Sequence, residues 1–285
     1  MKVAVVGHTE WIDFIRVPRM PGPGEIVHAE DAWDSPGGGG AVAAVQLAKL
    51  AGACAFFTAV GRNDLGRRTQ RELSVLGVDV QAGVRKEPQR RAITYIVDSG
   101  ERSITVLGVR SSPSAADPLP WSSLAECDAV FLTAGDPAAV RLARQARVLV
   151  ATSRVLPLLR KARVELDAVV GSSLDPSELY ADGDLDPPPR LAVRTAGPAG
   201  GTFQVPGGPQ VPYLPTPLPG PVVDTYGCGD SFAAGLTFGL GLGLASEAAV
   251  ELAARCGSAV ATGKGPYSTQ LTGAQLVEAG IIPPS

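Results

Sequence analysis

A short segment of acids and glycines in the last quarter of the chain has the residue types needed to hold an anion and to move a proton. Residues Asp224–Asp230 read DTYGCGD, and the apolar, small-residue run Ser231–Ala245 follows at once. Glycine lets backbone N–H groups approach a common anion, and the N-terminus of a helix adds the positive end of its dipole. We therefore predict a helix that starts near Asp230, preceded by an anion site made from the amides of Gly227–Gly229.

The carboxylate of Asp230 needs a reason to lie beside such an anion site. The helix dipole stabilises an acid in the first turn, but the same acid repels a phosphate. Both features fit if Asp230 is a general base that takes a proton from a hydroxyl while the amides hold a transferring phosphoryl group. The simpler alternative is that Asp230 only caps the helix and the glycines only turn the chain. The seven-residue context, with Asp224 and Thr225, favours the catalytic interpretation.

Composition narrows the class of protein. The length of 285 residues suits one large α/β domain, and the net charge of −3 with a pI near 5.5 gives no basic surface for nucleic acid. The apolar run Ser231–Leu244 is too short to span a membrane, and the apolar part of MKVAVVG is too short for a signal peptide. The four cysteines have no CxxC spacing. We expect a cytoplasmic protein that binds neither nucleic acid nor membrane.

The elements that must position the motif follow an alternating pattern. Helical stretches at Ala41–Leu50 and Leu65–Leu76 lie between short apolar runs, the second opening at Asn63-Asp64 and closing at Gly77. This alternation predicts a mostly parallel sheet with helices on both faces and ligand sites at its carboxyl edge. The runs that suit buried strands are Val3–Val6, Ala55–Val60, Ala129–Leu132, Val148–Ala151, Ala168–Val170 and Leu191–Val193.

Two segments with a period of two depart from that rhythm. Ala92–Gly108 has two alternating runs around Ser99–Glu101, which is typical of a hairpin, and Ile26–Trp33 alternates after a turn-rich stretch. We interpret them as a small β-lid inserted into the main domain rather than a second domain. Exposed strand edges invite pairing, so a homodimer through the lid is a further hypothesis.

The motif resembles the C-terminal signature DTxGAGD of the PfkB, or ribokinase-like, family of carbohydrate kinases, with Cys228 in place of alanine. The resemblance runs from about Val3 to Tyr267 and includes PGPGEIVHA, GGGGAVAAVQLAKLAG and AVGRNDLGRRTQRELSVLGVDV. It implies a Rossmann-like three-layer α/β sandwich with a small β-sheet lid. The whole chain, 1–285, would be one ribokinase-like domain, with lid strands from about 12–34 and 90–108.

The resemblance also implies a reaction, the ATP-dependent phosphorylation of a hydroxyl, usually on a sugar. By motif match Asp230 is the base, and the amides of Gly227, Cys228 and Gly229 form the anion hole. The segment Cys256–Ser268 would border the adenine pocket and, in some members, a monovalent-cation site, although a helix end and a turn explain it equally simply. The implied nucleotide-binding residues are Thr195, Gly197, Gly200, Thr225, Gly257 and Gly265.

An NxxE motif in this family orders magnesium-bound water near the phosphates. This chain has GSSLDPSE, in which Ser172 and Asp175 take the corresponding positions and Glu178 is a competing acid. Mg²⁺ prefers oxygen ligands and often keeps several waters, so we predict that Asp175 and Glu178 contact Mg²⁺ through water. The alternative is a helix N-cap at Asp175 or Ser177.

Acceptor recognition is where this chain departs from the family pattern. Members usually have an Asp soon after the first strand; here Asp13 lies one residue late and Glu10 is a rival, and either carboxylate could accept hydrogen bonds from sugar hydroxyls. Gly39 stands where ribokinase has a lysine, and Val42 stands where many members have an asparagine. The implied substrate-binding residues are Glu10, Asp13, Gly37, Gly38, Gly39 and Val42.

Other side chains near the predicted pocket have two interpretations each. His8 is expected at the pocket, while Trp11 and Trp33 are more simply packing residues than stacking platforms. The lid arginines Arg90, Arg91 and Arg102 could meet an anionic substrate, although exposed arginines are usually solvated.

Three alternatives to a sugar kinase follow from these departures. Loss of polar residues at Gly39 and Val42, with tryptophans nearby, fits a nucleoside or hydroxymethyl-heterocycle kinase. The changed NxxE fits a catalytically weak PfkB-like ligand-binding or regulatory protein, which the intact Asp230 opposes. A dinucleotide-dependent oxidoreductase would need GxGxxG after the first strand, and VVGHTEWID lacks it.

Overall fold

The computed structural model describes residues 1–283 as two sheets with helices packed around the larger one. The strands are β1 (Val3–Val6), β2 (Glu10–Arg16), β3 (Asp31–Gly37), β4 (Cys54–Gly61), β5 (Val78–Arg85), β6 (Arg91–Ile96), β7 (Arg102–Leu107), β8 (Ala129–Leu132), β9 (Val148–Thr152), β10 (Ala168–Ser172), β11 (Ala192–Thr195), β12 (Gly201–Gln204) and β13 (Val211–Tyr213). The helices are α1 (Gly39–Ala51), α2 (Asp64–Val75), α3 (Pro137–Ala143), α4 (Leu156–Ala162), α5 (Cys228–Gly241), α6 (Ser246–Val260) and α7 (Gly273–Glu278).

The main sheet has nine strands in the order β13-β12-β11-β10-β9-β8-β1-β4-β5. The pairs from β5 to β11 are parallel, and β12 and β13 add an antiparallel edge. The parallel α/β architecture predicted from the alternating pattern is confirmed, and all six predicted strands are present. Strands β5, β12 and β13 were not predicted, because they bury only part of their surface and lack a continuous apolar run.

Helices cover both faces of this sheet, and alternate residues of a strand pack into two separate cores. Val3 and Val5 pack into a core with α1, α5 and α6, whereas Ala4 and Val6 pack into a second core with α3 and α4. This alternation follows from the period of two along a strand. Because the central strands are parallel, their carboxyl ends and the loops that follow lie at one edge of the sheet.

The smaller sheet is the lid, with the strand order β3-β2-β6-β7. Its β6-β7 pair is the predicted hairpin, and β2 pairs in parallel with β6. The strand predicted at Ile26–Trp33 begins later than expected, since pairing starts only at Asp31, opposite Arg16. Ile26 is 89% exposed, so the alternating residues before Asp31 do not bury one face.

The lid lies directly on the segment that carries the opening motif. Ile12 and Phe14 of the lid share a small core with Val42 and Tyr226. On the lid's rim, Arg16 donates a hydrogen bond to the carbonyl of Val223 (2.9 Å). Lid and motif are therefore in contact in this conformation.

Helix α5 is the predicted helix after the motif, and it begins at Cys228, two residues before Asp230. Its glycines allow close packing: a Cβ on Gly235 would lie 2.9 Å from the Cα of Ala253, and one on Gly239 would lie 3.0 Å from the Cα of Ala249 in α6. The small-residue run therefore serves helix contact. Within residues 1–283, no helix has both the length and the apolar character needed to cross a bilayer.

Candidate active site

The N-terminus of α5 presents backbone donors to open space. Gly227 is the residue before the helix and has φ 85° and ψ 0°, a left-handed conformation that favours glycine. No side chain caps the helix, and the first bond of its ladder runs from the N–H of Ser231 to the carbonyl of Gly227 (2.9 Å). The N–H groups of Gly229 and Asp230 precede that bond, and no atom lies within 4 Å of a Cβ built on Gly229. An incoming anion would find these donors accessible.

Asp230 lies in the first turn of α5 and faces the glycine run of the N-terminal half. Its Oδ1 is 2.7 Å from the position that a Cβ on Gly39 would take. Burial, and then the charge of Glu178, raise the pKa of Asp230 to about 6, while Arg102 and Arg154 act in the opposite direction. A carboxylate with this pKa is largely ionised at neutral pH and is basic enough to take a proton from a reacting hydroxyl.

Asp224 and Tyr226 fix the motif to the rest of the site. Asp224 is fully buried; its carboxylate accepts hydrogen bonds from the N–H of Tyr226 (2.8 Å) and from that of Gly265 (3.2 Å). The hydroxyl of Tyr226 in turn accepts a hydrogen bond from the N–H of Gly38 (2.9 Å). No local pattern predicts this last contact, which joins two motifs 188 positions apart.

The glycine run Gly37–Gly39 brings its backbone close to two polar side chains. Gly38 has φ +85°, and a Cβ on it would lie 3.3 Å from Cγ of Glu10 and from Cδ2 and Nε2 of His8. Both side chains are buried, at 8% and 7% exposure. The expected position of His8 at the pocket agrees with this placement, and the glycines make room for it.

Of the two rival carboxylates, only Glu10 faces this pocket. Asp13 is three positions along β2 and so projects from the opposite face, where it pairs with Arg91 (2.8 Å) and borders a shallow depression beside Ala32. Strand parity turns Asp13 away from the pocket, which leaves Glu10 as the candidate carboxylate there. Val42, another candidate substrate contact, has no exposed surface and packs beneath the motif.

Three arginines gather around His8 and Glu10, and only Arg90 among them was a candidate from the sequence. Nε of Arg90 lies 3.1 Å from Oε2 of Glu10, and Nη2 of Arg110 lies 3.2 Å from both ring nitrogens of His8. Arg154 is the third, and its charge also lowers the pKa of His8. It follows directly on the apolar run of β9, so the carboxyl-edge rule could have found it.

The remaining lid side chains have structural partners. Arg102 donates hydrogen bonds to the hydroxyl (2.9 Å) and carbonyl (3.1 Å) of Thr225. Trp11 is buried beneath the guanidinium of Arg68, and Trp33 stacks on Phe14 with centroids 5.1 Å apart. Both tryptophans are thus packing residues.

The predicted magnesium residues Asp175 and Glu178 are held by Arg154. It contacts Asp175 at 2.8 Å and also pairs with Glu178, whose other oxygen accepts the N–H of Ser172 (2.8 Å). The second oxygen of Asp175 accepts from Ser177 (2.9 Å from the N–H), as the N-cap alternative expected. All four oxygens are engaged, so the pair does not fit direct coordination of a metal. Within residues 1–283 no group of three His, Cys, Asp or Glu side chains is placed to hold one.

The nucleotide candidates fall into two groups. Thr195, Gly197 and Gly200 lie together at the end of β11 and in the turn after it, and both glycines have positive φ. Thr225 is part of the motif and accepts a hydrogen bond from Arg102, and Gly265 is joined to the motif through Asp224.

Gly257 does not belong with either group. A Cβ on it would lie 3.1 Å from the carbonyl of Cys228 and 3.3 Å from the side chain of Phe232. It is a close-packing position between α5 and α6. Burial raises the pKa of the Cys228 thiol to about 12, which keeps it protonated, as expected for a residue that contributes only its backbone.

Known proteins match this chain along nearly its full length. The family model for pfkB family carbohydrate kinases matches residues 1–182 and 187–272. An ATP-dependent ribose-1-phosphate kinase of Halopiger xanaduensis is 28% identical over 285 residues, which cover 94% of each chain.

Solved structures share the fold at lower identity. A microbiome-derived acarbose kinase has a TM-score of 0.81 at 21% identity, with 97% of this chain and 98% of that one covered. Ribokinase of Arabidopsis thaliana, solved with ribose and ATP, has a TM-score of 0.75 at 20% identity, with 100% and 99% covered. The ribokinase-like fold with a lid is confirmed. Since the family model spans most of the chain, the chain belongs to the pfkB family of carbohydrate kinases and is an ATP-dependent carbohydrate kinase.

Proposed function

We propose that this kinase transfers the γ-phosphoryl group of ATP to a hydroxyl of a sugar or sugar-like molecule, with Asp230 as the general base. The observation that carries the proposal is the position of Asp230 between the uncapped N-terminus of α5 and the glycine run at Gly39, together with a pKa of about 6. A base, an anion site and an open approach then meet at one point.

The proposed step moves one proton and one phosphoryl group. The acceptor hydroxyl gives its proton to Asp230, and its oxygen forms a bond to the γ-phosphorus. The bond between that phosphorus and the bridging oxygen of ATP breaks, and ADP leaves with the electron pair. The N–H groups of Gly227, Cys228 and Gly229 stabilise the negative charge on the transferring group.

The acceptor is proposed to lie over Gly37–Gly39, with Glu10 accepting hydrogen bonds from its hydroxyls. The nucleotide is proposed to contact Thr195, Gly197 and Gly200 on one side and Thr225 and Gly265 on the other. Magnesium would reach Asp175 and Glu178 only through water, because Arg154 and neighbouring donors occupy their oxygens. Magnesium takes part in no step described above, and no residue is proposed to bind a monovalent cation.

Relatives differ in the acceptor that their names give. The relative from Halopiger xanaduensis is named for ribose 1-phosphate, and the Arabidopsis structure holds free ribose. We therefore propose a sugar or sugar phosphate as acceptor. A nucleoside or hydroxymethyl-heterocycle is the alternative, although Trp11 and Trp33 no longer support it because both are engaged in packing.

The test is release of ADP from ATP over a panel of free sugars, sugar phosphates and nucleosides, with wild type and Asp230→Asn side by side. We expect kcat to fall by about 10²- to 10⁴-fold in the variant. Equal rates for both proteins would remove Asp230 from the mechanism. Binding of ATP without turnover of any panel member would instead favour a ligand-binding protein, an outcome to which the Arg154 contacts with Asp175 and Glu178 lend some weight.

A homodimer through the lid is also part of the proposal. Strand β7 forms one edge of the small sheet, and all six of its residues are exposed, including Ile104, Val106 and Leu107. An unpaired apolar edge invites pairing with a second copy. Sedimentation of the wild type and of Val106→Lys tests this; a monomer in both cases contradicts it.

A further inference from the structure

Two arginines reach the acceptor end of the site, and only one of them is paired with a carboxylate there. Arg90 and Arg110 both reach the pair formed by His8 and Glu10. Glu10 is the carboxylate partner of Arg90. For Arg110, no carboxylate oxygen of residues 1–283 lies within 4.0 Å, and its hydrogen-bonding contact is with His8. Arg110 therefore has no carboxylate paired with it directly.

His8 is neutral, so it neither adds to the positive charge of the two arginines nor offsets it. Burial, followed by the charges of Arg110, Arg90 and Arg154, lowers the pKa of His8 well below its ordinary value. The ring is therefore neutral near pH 7 and can donate one hydrogen bond and accept another. Partial burial, and then the charge of Arg90, lower the pKa of Arg110, while the charge of Glu10 raises it.

Two buried polar atoms at this place also lack hydrogen bonds. Nε of Arg90 and Oε2 of Glu10 are 3.1 Å apart, yet neither has a hydrogen-bond partner, because their geometry is not aligned. Buried charged groups without partners are costly, and they usually wait for a ligand. The other arginines differ: Arg91 pairs with Asp13, and Arg154 pairs with Asp175 and Glu178.

The charge lies beside the base, not in a remote part of the molecule. A Cβ on Gly39 would be 2.7 Å from Oδ1 of Asp230 and 3.8 Å from Cε1 of His8, so both side chains border the same small space. One small molecule can therefore place a hydroxyl at Asp230 and a second group at His8 and Arg110.

We infer that the acceptor carries a phosphate group in addition to the hydroxyl that reacts, and that Arg90, Arg110 and His8 bind this phosphate. The inference rests on the proposed function and specifies its acceptor as a sugar monophosphate. Guanidinium groups match phosphate in shape and charge, and a neutral imidazole adds a further donor. Glu10 is then free to accept hydrogen bonds from the sugar hydroxyls.

The test compares free sugars with their monophosphates as acceptors, and wild type with Arg110→Gln. We expect the wild type to prefer a phosphorylated sugar by more than about 100-fold in kcat/KM, because a site built for a charged group rejects the analogue that lacks it. Arg110→Gln should raise the KM for the sugar phosphate by about 10- to 100-fold and leave the KM for ATP unchanged. Arg91→Gln is the matched control, since Arg91 faces away from the site.

Three results would overturn the inference. They are equal use of a free sugar and its phosphate, a rise in the KM for ATP instead of the acceptor in Arg110→Gln, and absence of calorimetric binding of every sugar phosphate to the wild type. Calorimetry without ATP also separates the two proposals. Sugar phosphate that binds through Arg110 but is never phosphorylated would sink the transfer reaction while supporting the phosphate site.

Discussion

The hydroxyl of Tyr226 accepts a hydrogen bond from the backbone N–H of Gly38 at 2.9 Å, and this bond joins the motif Asp224–Asp230 to the glycine run across the site. Tyr226 is itself packed edge-on against Phe14 of the lid, with ring centroids 5.1 Å apart. The relative position of Asp230 and Gly39 therefore depends on a buried phenol that takes no part in the chemistry.

Replacing Tyr226 with phenylalanine should destabilise the protein and loosen the acceptor site. The N–H of Gly38 would be left buried without an acceptor, which costs about 1–3 kcal/mol in the free energy of unfolding. Denaturant titration measures this cost, and the KM for the acceptor should rise in parallel. Tyr95→Phe is the control, because the Tyr95 hydroxyl has no hydrogen-bond partner in residues 1–283. Equal stability of the two variants would show that the Gly38 contact contributes nothing.

The pH dependence of kcat/KM should report the ionisation of Asp230. As the proposed base, Asp230 must be deprotonated to act, and its pKa is about 6, so activity should fall as the pH drops below that value. Glu178 raises this pKa and Arg154 lowers it. Glu178→Gln should therefore move the acidic limb to lower pH, and Arg154→Gln should move it to higher pH. Limbs that shift in the same direction in both variants would refute this electrostatic account.

Gly227 and Gly229 should respond differently to alanine. At Gly227 the positive φ and the contacts of a Cβ with Pro266 (2.9 Å) and Val42 (3.0 Å) predict a loss of about 1–2 kcal/mol or more in unfolding free energy. At Gly229 a methyl group meets no atom, and alanine favours the helix by up to about 1 kcal/mol. If the phosphoryl group passes over Gly229, that variant should keep its thermal stability and lose activity. Full activity in Gly229→Ala would place the anion elsewhere.

Substitutions at Glu10 and at Asp13 should have different effects on the KM for the acceptor. Glu10→Gln removes a buried carboxylate at the acceptor site, so the KM for the acceptor should rise by about 10-fold or more. Asp13→Asn breaks an exposed ion pair with Arg91, worth no more than about 1 kcal/mol, and should leave KM unchanged. Steady-state kinetics at saturating ATP measures both. A larger effect at Asp13 would reverse the assignment made from strand parity.

Local chemistry explains what the sequence could predict. The left-handed Gly227, the helix after it and the apolar runs of the parallel strands are all encoded within a few residues, and the carboxyl-edge rule then brings them together. The alternating runs predicted the lid, and the resemblance to a family added the reaction.

Long-range geometry explains what could not be predicted from the sequence. Whether Glu10 or Asp13 faces the pocket depends on the parity of β2, and nothing local marks where that strand begins. Arg154 reaches Asp175 and Glu178 across 21 and 24 positions of sequence, so a metal motif and an ion-pair motif look the same until the chain is folded. Arg110 lies in an exposed loop with no pattern of its own.

The contact between Arg102 and Thr225 joins lid strand β7 to the motif and to the charges around Asp230. Arg102 is the first residue of β7, and its charge lowers the pKa of Asp230. The same guanidinium donates hydrogen bonds to the hydroxyl and the carbonyl of Thr225. A single lid residue therefore acts on both the conformation of the loop and the charge around Asp230, so a substitution at Arg102 would change the two together.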